Sequence, residues 1–385
     1  MTLTEANIVQ ELEAASQAGD PPADELVSDL IDNKEVGGVN QLFRTINTLK
    51  PGMDYSQLPP RLADFMREAE ADPPGWTEAD AKAAEGFFDE HHGVASMLQG
   101  TVGLIGTYLS PTGAYTLRST GRLGGVEGPG RRLSQSTRLF QGMGDKGAMR
   151  DGTLKATVTK VRLVHASVRQ LHKKSGEWDY AKWGEPVSQK YTTGATCVFS
   201  VQILQAMRHL GINPSDAQRH GFMGAWHYVN HYLGTLERFQ LPKDADLVDR
   251  MWTKVRDDEW KKTDDGVFMT EQAVKYYREL LMKTPVVTDT FIAMVRQALT
   301  DKYADMAGIP RSPLDLFAKP AATGHGLAGG LGSALSGAVK QTTGIDPYKE
   351  ALGAGNKVFN AVLEDAATHD KDKQPQMHQE IHDGR

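Results

Sequence analysis

KVRLVHASVRQLH, residues 160–172, contains neither proline nor glycine and reads as an amphipathic helix. At about 100° per residue, Arg162, His165 and Arg169 fall within roughly a 60° arc of that helix. Val161, Val168 and Leu154 run along the edge nearest His165. The imidazole is therefore expected at the apolar boundary, with the two arginines beside it.

Working outward from this segment, most of the chain repeats at helical spacing and strand signals are sparse. Helices are predicted over residues 5–17, 24–33 and 39–49, and again within LPPRLADFMREAEADPPGW, which is bracketed by prolines. Thr77, with Asp80 three residues on, predicts an N-cap for a helix through EADAKAAEGFFDEHH. Glycine-rich loops are expected around residues 124–130 and 142–152, with a helix over 131–142 between them and Asp151 capping the opening segment. Downstream, 192–210 and 216–233 read as apolar helices stopped by Gly211 and Gly234. Residues 247–259, 271–281 and 287–305 complete an all-α core. After Pro320 the chain turns Gly/Ala/Ser-rich and then polar, which predicts a loosely attached tail over 321–385, with room for one helix near 346–363. The expected division is a helical N-terminal extension (1–56), a helical functional domain (57–320) and the tail.

Composition narrows the function. A hydrophobic fraction of 39% and a charged fraction of 24% describe an ordinary globular protein. A net charge of −6 with no basic block argues against general nucleic-acid binding. Cys197 is the single cysteine, so no internal disulfide forms and covalent c-type haem attachment is excluded. No signal-peptide pattern precedes the acidic N-terminal helix, and the most apolar window, Val94–Leu109, is too short and glycine-rich for a membrane span. A cytoplasmic location is the expectation.

Walker, CxxC, HExxH and GxSxG patterns are missing. HQEIH at 378–382 has metal-binding spacing but sits in the polar tail, and adjacent side chains of EHH at 90–92 diverge too far for more than one to face a site. The Arg162/His165/Arg169 group has two readings. The ordinary one is a satisfied core histidine beside a solvated basic face. The other is a haem pocket, in which a neutral imidazole ligates iron and arginines one turn away pair with the propionates. Apolar neighbours of the histidine would then pack on the porphyrin.

FFDEHHGVASMLQGTVGLIGTYLSP, LRSTGRL, RRLSQSTRLF and above all VRLVHASVR resemble the latex-clearing-protein, or rubber oxygenase, family. That family belongs to a wider group that includes the membrane-bound oxygenase of mycophenolic acid biosynthesis. LPPRLADFMREAEADPPGW and AWHYVNHYLG are similar to its earlier and later segments, so the resemblance spans about Leu58–Leu236. It implies a globin-like helical fold with additional helices, a non-covalent haem b, and oxidative cleavage of an isoprenoid carbon–carbon double bond by dioxygen. By that resemblance His165 is the proximal iron ligand, with Arg162 and Arg169 as the arginines beside it.

On the distal side the family's Arg-x-x-Lys-Thr arrangement falls within RRLSQST, so its arginine is Arg131 or Arg132. The lysine position holds Ser134 or Gln135, and the threonine position Ser136 or Thr137. The family's distal glutamate falls near Ala114–Leu117, where this chain has no carboxylate. An open or water-bound iron is thus expected, with Arg131, Arg132, Gln135 and Ser136 as the candidate catalytic set and a hydrophobic, isoprenoid-like substrate with dioxygen as partners. His227, Tyr228 and His231 either line the pocket or are structural. The alternatives are a haem protein without turnover, binding gas or electrons, and a haem-free helical protein that binds a lipid or a partner.

Overall fold

The computed structural model describes residues 3–123, 129–281 and 285–311, together with Asp315, Gly353 and Met377. Within these, the side chains of 122–123, 129–135, 137, 280–281 and 285–287 lie outside the description. HQEIH and, apart from Gly353 and Met377, the whole 321–385 segment lie outside the described residues.

No strand occurs among the described residues, as the helical periodicity predicts. The helices in chain order are α1 (Ile8–Ser16), α2 (Pro21–Asp32), α3 (Val36–Leu42), α4 (Pro60–Glu68) and α5 (Glu78–Leu98). A π-turn over Gln99–Gly103 leads into α6 (Leu104–Tyr108), followed by α7 (Pro111–Leu123), α8 (Pro129–Gly144) and α9 (Thr153–Ser175). Then come α10 (Tyr180–Trp183), α11 (Gln189–Phe199), α12 (Val201–His209) and α13 (Asp216–Tyr232). The series ends with α14 (Ala245–Glu259), α15 (Asp264–Leu281), α16 (Pro285–Leu299) and α17 (Asp301–Ala307).

Local chemistry explains most boundaries. Thr77 and Asp80 form the reciprocal capping box that starts α5. Gly211 and Gly234 stop α12 and α13 in the left-handed region, with φ of 75° and 79°. Several boundaries differ from the periodicity, among them the start of α15, which begins at Asp264 rather than 271. The helix expected over 39–49 is instead α3, seven residues long and starting at Val36. Asp151 does not occupy the cap of α9; Gly152 does, and Asp151 Oδ1 accepts from the Thr153 backbone and hydroxyl at 2.9 and 2.6 Å. The run 192–210 is broken at Ser200. There the hydroxyl bonds back to the Thr196 carbonyl at 2.6 Å, while Gln99 takes the Phe199 carbonyl at 3.0 Å. The run 287–305 is broken at Thr300, whose φ is 72°.

Two hydrophobic cores meet at α9. The larger joins α5, α6, α11–α16 and Leu3, Ile8 and Leu12 of the N-terminus, and takes Leu154 and Val158 from one face of α9. The smaller is built from α2–α4 and the segment following α3, and takes Ala156, Leu163 and Ala166 from the opposite face. Residues 3–56 are thus packed into both cores. His165 projects on the side of the larger one, as its spacing from Val158 and Leu154 requires.

The α5–α13 pair shows how closely the larger core is fitted. Phe87 stacks on Phe222 with centroids 4.3 Å apart, and Gly221 lies against the Ala83 carbonyl. A Cβ at Gly221 would overlap that backbone oxygen, so the helices would have to part. Gly221→Ala is expected to destabilise the protein by about 2 kcal/mol in chemical denaturation, even though alanine is the better helix former.

Candidate functional site

α9 carries His165 at the middle of its length, where α2, α7, α8 and α13 all pack against it. Burial pushes the imidazole pKa down to about 4; Arg169 adds to the effect and Asp20 opposes it. The ring is therefore neutral at ordinary pH. Yet His165, Val161 and Val164 all keep part of their surface accessible. His165 has no hydrogen-bond partner among the described residues.

The arginines are held by acidic partners that sequence reading did not find. Arg162 makes a two-point pair with Asp20, Nε to Oδ2 at 2.6 Å and Nη2 to Oδ1 at 2.7 Å. Its guanidinium also lies over the Phe65 ring, 4.9 Å from the centroid. Arg169 Nε donates to Asp24 Oδ1 at 2.6 Å and its Nη1 to the Val187 carbonyl at 3.0 Å. Burial raises the Asp24 pKa, and the charge and hydrogen bond of Arg169 work against that rise. Two carboxylates one turn apart on α2 thus clasp two guanidiniums two turns apart on α9. One nitrogen is left over: Arg169 Nη2 is buried without a hydrogen-bond partner among the described residues.

Neighbouring backbone completes this clasp. Gly234 sits so close that a Cβ there would overlap both the Asp20 carboxylate and the Arg162 guanidinium. Gln189 donates from Nε2 to the carbonyls of Gly19 (2.8 Å) and Gly234 (3.0 Å), and accepts at Oε1 from the Leu236 backbone (2.9 Å). The start of α2, the end of α13 and the start of α11 are thereby fixed around the middle of α9. Sequence offered one faint signal for this arrangement, the Asp20/Asp24 spacing of four residues. Aspartate beside prolines reads more naturally as a helix start.

The distal candidates lie on α8, which packs against both α9 and α5. Ser136 is partly buried there. The side chains of Arg131, Arg132 and Gln135 lie outside the described residues. Ala114 of α7 is fully buried.

On α13, His227 bonds to the Leu241 carbonyl at 2.8 Å, and Tyr228 is buried between Trp76 and Tyr232, with centroids 4.8 and 4.9 Å away. His231 lies nearer the clasp, and burial, reinforced by Arg162, lowers its pKa to about 4. The folded protein holds His231 neutral to that pH, whereas the unfolded chain takes up the proton near its ordinary 6.5. Stability is therefore complete above pH 6.5 and is lost as pH falls toward 4. The loss for this group is about 2 kcal/mol after allowance for its residual exposure. Urea titrations across that window should show it, and His231→Gln should remove this group's share of the slope while that of His165 remains.

A separate cavity of about 370 Å³ lies among α1, α11 and α14, with Leu12, Cys197, Met251, Trp252 and Trp260 on its wall; His165 does not line it. Burial raises the Cys197 thiol pKa to about 12, which keeps it protonated and unreactive. Groups of three or more histidine, cysteine or acidic side chains able to hold a metal ion do not occur among the described residues, and no described helix is long and apolar enough to cross a membrane.

The fold is that of a solved latex clearing protein in its closed state, with a TM-score of 0.71 at 20% identity over 91% of each chain. The chain belongs to the family described as ER-bound oxygenase mpaB/B'/rubber oxygenase, catalytic domain, whose sequence profile matches residues 89–329. It is 25% identical over 300 residues to the rubber oxygenase of Streptomyces sp. (strain K30), covering 77% of this chain and 72% of that protein.

Proposed function

We propose that this chain is a haem b-dependent oxygenase acting with dioxygen on a carbon–carbon double bond of a hydrophobic, isoprenoid-like substrate. The observation that carries the reading is His165, a buried imidazole held neutral, with no hydrogen-bond partner for its ring nitrogens among the described residues. Membership of an oxygenase family and likeness to a rubber oxygenase support the reaction class and the apolar substrate.

The residues fit the cofactor in a specific way. A ring nitrogen of His165 would hold the iron, and Val161, Val164 and Val168 would pack beside it on the porphyrin. The buried, unpartnered Nη2 of Arg169 suits a propionate oxygen, which would satisfy a donor otherwise left without one. Arg162 has both donors on one side engaged by Asp20, so its role is to fix the rotation of α9 and hence the aim of His165. Bound haem would supply the iron at which dioxygen is activated, with outcome set by distal polarity and access. On α8, Gln135 and Ser136 are assigned hydrogen-bond donation toward the distal side and Arg131 or Arg132 its positive charge.

The test is oxygen uptake by purified, haem-loaded protein given polyisoprene or an isoprenoid oligomer, with carbonyl products assayed. Uptake with product carbonyls is expected. A Soret-absorbing protein that consumes no oxygen would favour the second reading, a haem protein without turnover. That reading has its own support: no carboxylate occurs over Ala114–Leu117 to take a proton from substrate.

A further inference from the structure

Asn40 of α3 makes an unusual two-point contact with a residue 337 positions away. Its Nδ2 donates to the Met377 carbonyl and its Oδ1 accepts from the Met377 backbone N–H, both at 3.0 Å. This is how a neighbouring strand would pair with one residue of extended peptide, except that here a side-chain amide supplies both bonds. The Met377 side chain is 2% exposed and belongs to the smaller hydrophobic core, with Val36, Val39 and Phe43. Asn40 is itself only 7% exposed. Remove Met377, and a buried amide loses its donor and acceptor partners while an apolar socket opens beside it.

We propose that the α2–α4 layer carries a peptide-binding site that recognises one methionine and its main chain, and that the C-terminal segment around Met377 fills it in cis. The main-chain bonds supply register and the socket supplies selectivity, since a flexible thioether fills an irregular gap that a charged side chain cannot enter. Met377 lies in the core that backs α9 through Ala156, Leu163 and Ala166, and Lys160 of α9 reaches the Phe43 carbonyl at 2.7 Å in the same layer. Docking therefore ties the chain's C-terminal region to the layer that carries Asp20 and Asp24.

The experiment uses the full-length chain and a fluorescent peptide of residues 371–383. In wild type the tethered segment competes, so the peptide is expected to bind Met377→Asp at least about tenfold more tightly than wild type. The same peptide with aspartate at position 377 should not bind. Met377→Asp alters only the docked segment and leaves the layer's own residues intact, so it does not depend on how the layer tolerates substitution. Hydrogen exchange reads the same contact directly: the Met377 amide should exchange at least about tenfold faster in Asn40→Ala than in wild type. Equal peptide affinity for wild type and Met377→Asp, binding of the aspartate peptide, or an unchanged Met377 amide in Asn40→Ala would each overturn the proposal.

Discussion

His165→Ala should purify as a folded protein that carries almost no haem. Its pyridine haemochrome should fall at least about tenfold below wild type, because on the proposed reading the iron loses the imidazole that ligates it. The fold itself should survive. His165 makes no hydrogen bond within the described chain, so shortening it strands no protein donor or acceptor. Added imidazole should restore part of the Soret band, since the small ring can occupy the space the side chain leaves. A variant that retains a full complement of haem with an unchanged spectrum would move the ligand to another residue.

Asp20→Ala should have the largest effect on stability. It leaves Arg162 mostly buried without its carboxylate, and breaking such a pair from one side costs about 3–5 kcal/mol. The Asp20 side chain is 4% exposed and that of Arg162 20%, which places this pair well away from the surface regime where ion pairs contribute little. Adding Arg162→Met should recover a large part of the loss, because methionine carries no charge and can pack on Phe65. Denaturant melts of the two singles and the double close the cycle. A single-variant loss below 1 kcal/mol would show that solvent reaches the pair and that α9 is not fixed through it.

Much of this architecture was legible before any coordinates. The 3.6-residue periodicity gave the all-helical fold, Thr77 and Asp80 marked the start of α5, and Gly211 and Gly234 marked two ends. These are local signals, settled within one turn of chain. The breaks at Ser200 and Thr300 were not legible. The first depends on Gln99 taking the Phe199 carbonyl from a hundred residues away, and neither position carries proline or glycine to announce a break. The site divided in the same way. The arc of Arg162, His165 and Arg169 followed from helix geometry alone. Their partners, Asp20 and Asp24, lie more than 140 residues upstream, and no periodicity reports a contact of that span. Asn40 and Met377 are the extreme case, since a tail that reads as polar linker conceals one anchored methionine.

The wide turn over Gln99–Gly103 holds one residue more than a regular helix would, with Tyr277 satisfying the Gly100 carbonyl at 2.8 Å and Gly103 pressed against the Phe199 ring. Such an extra residue cannot be created or erased by substitution, only by insertion or deletion. Where a homologue runs straight through this point, the alignment must open a one-position gap here and nowhere else. Placed even a few residues later, the gap would turn the compared positions of α6, all five of them buried, by about 100° and equate side chains that face different neighbours.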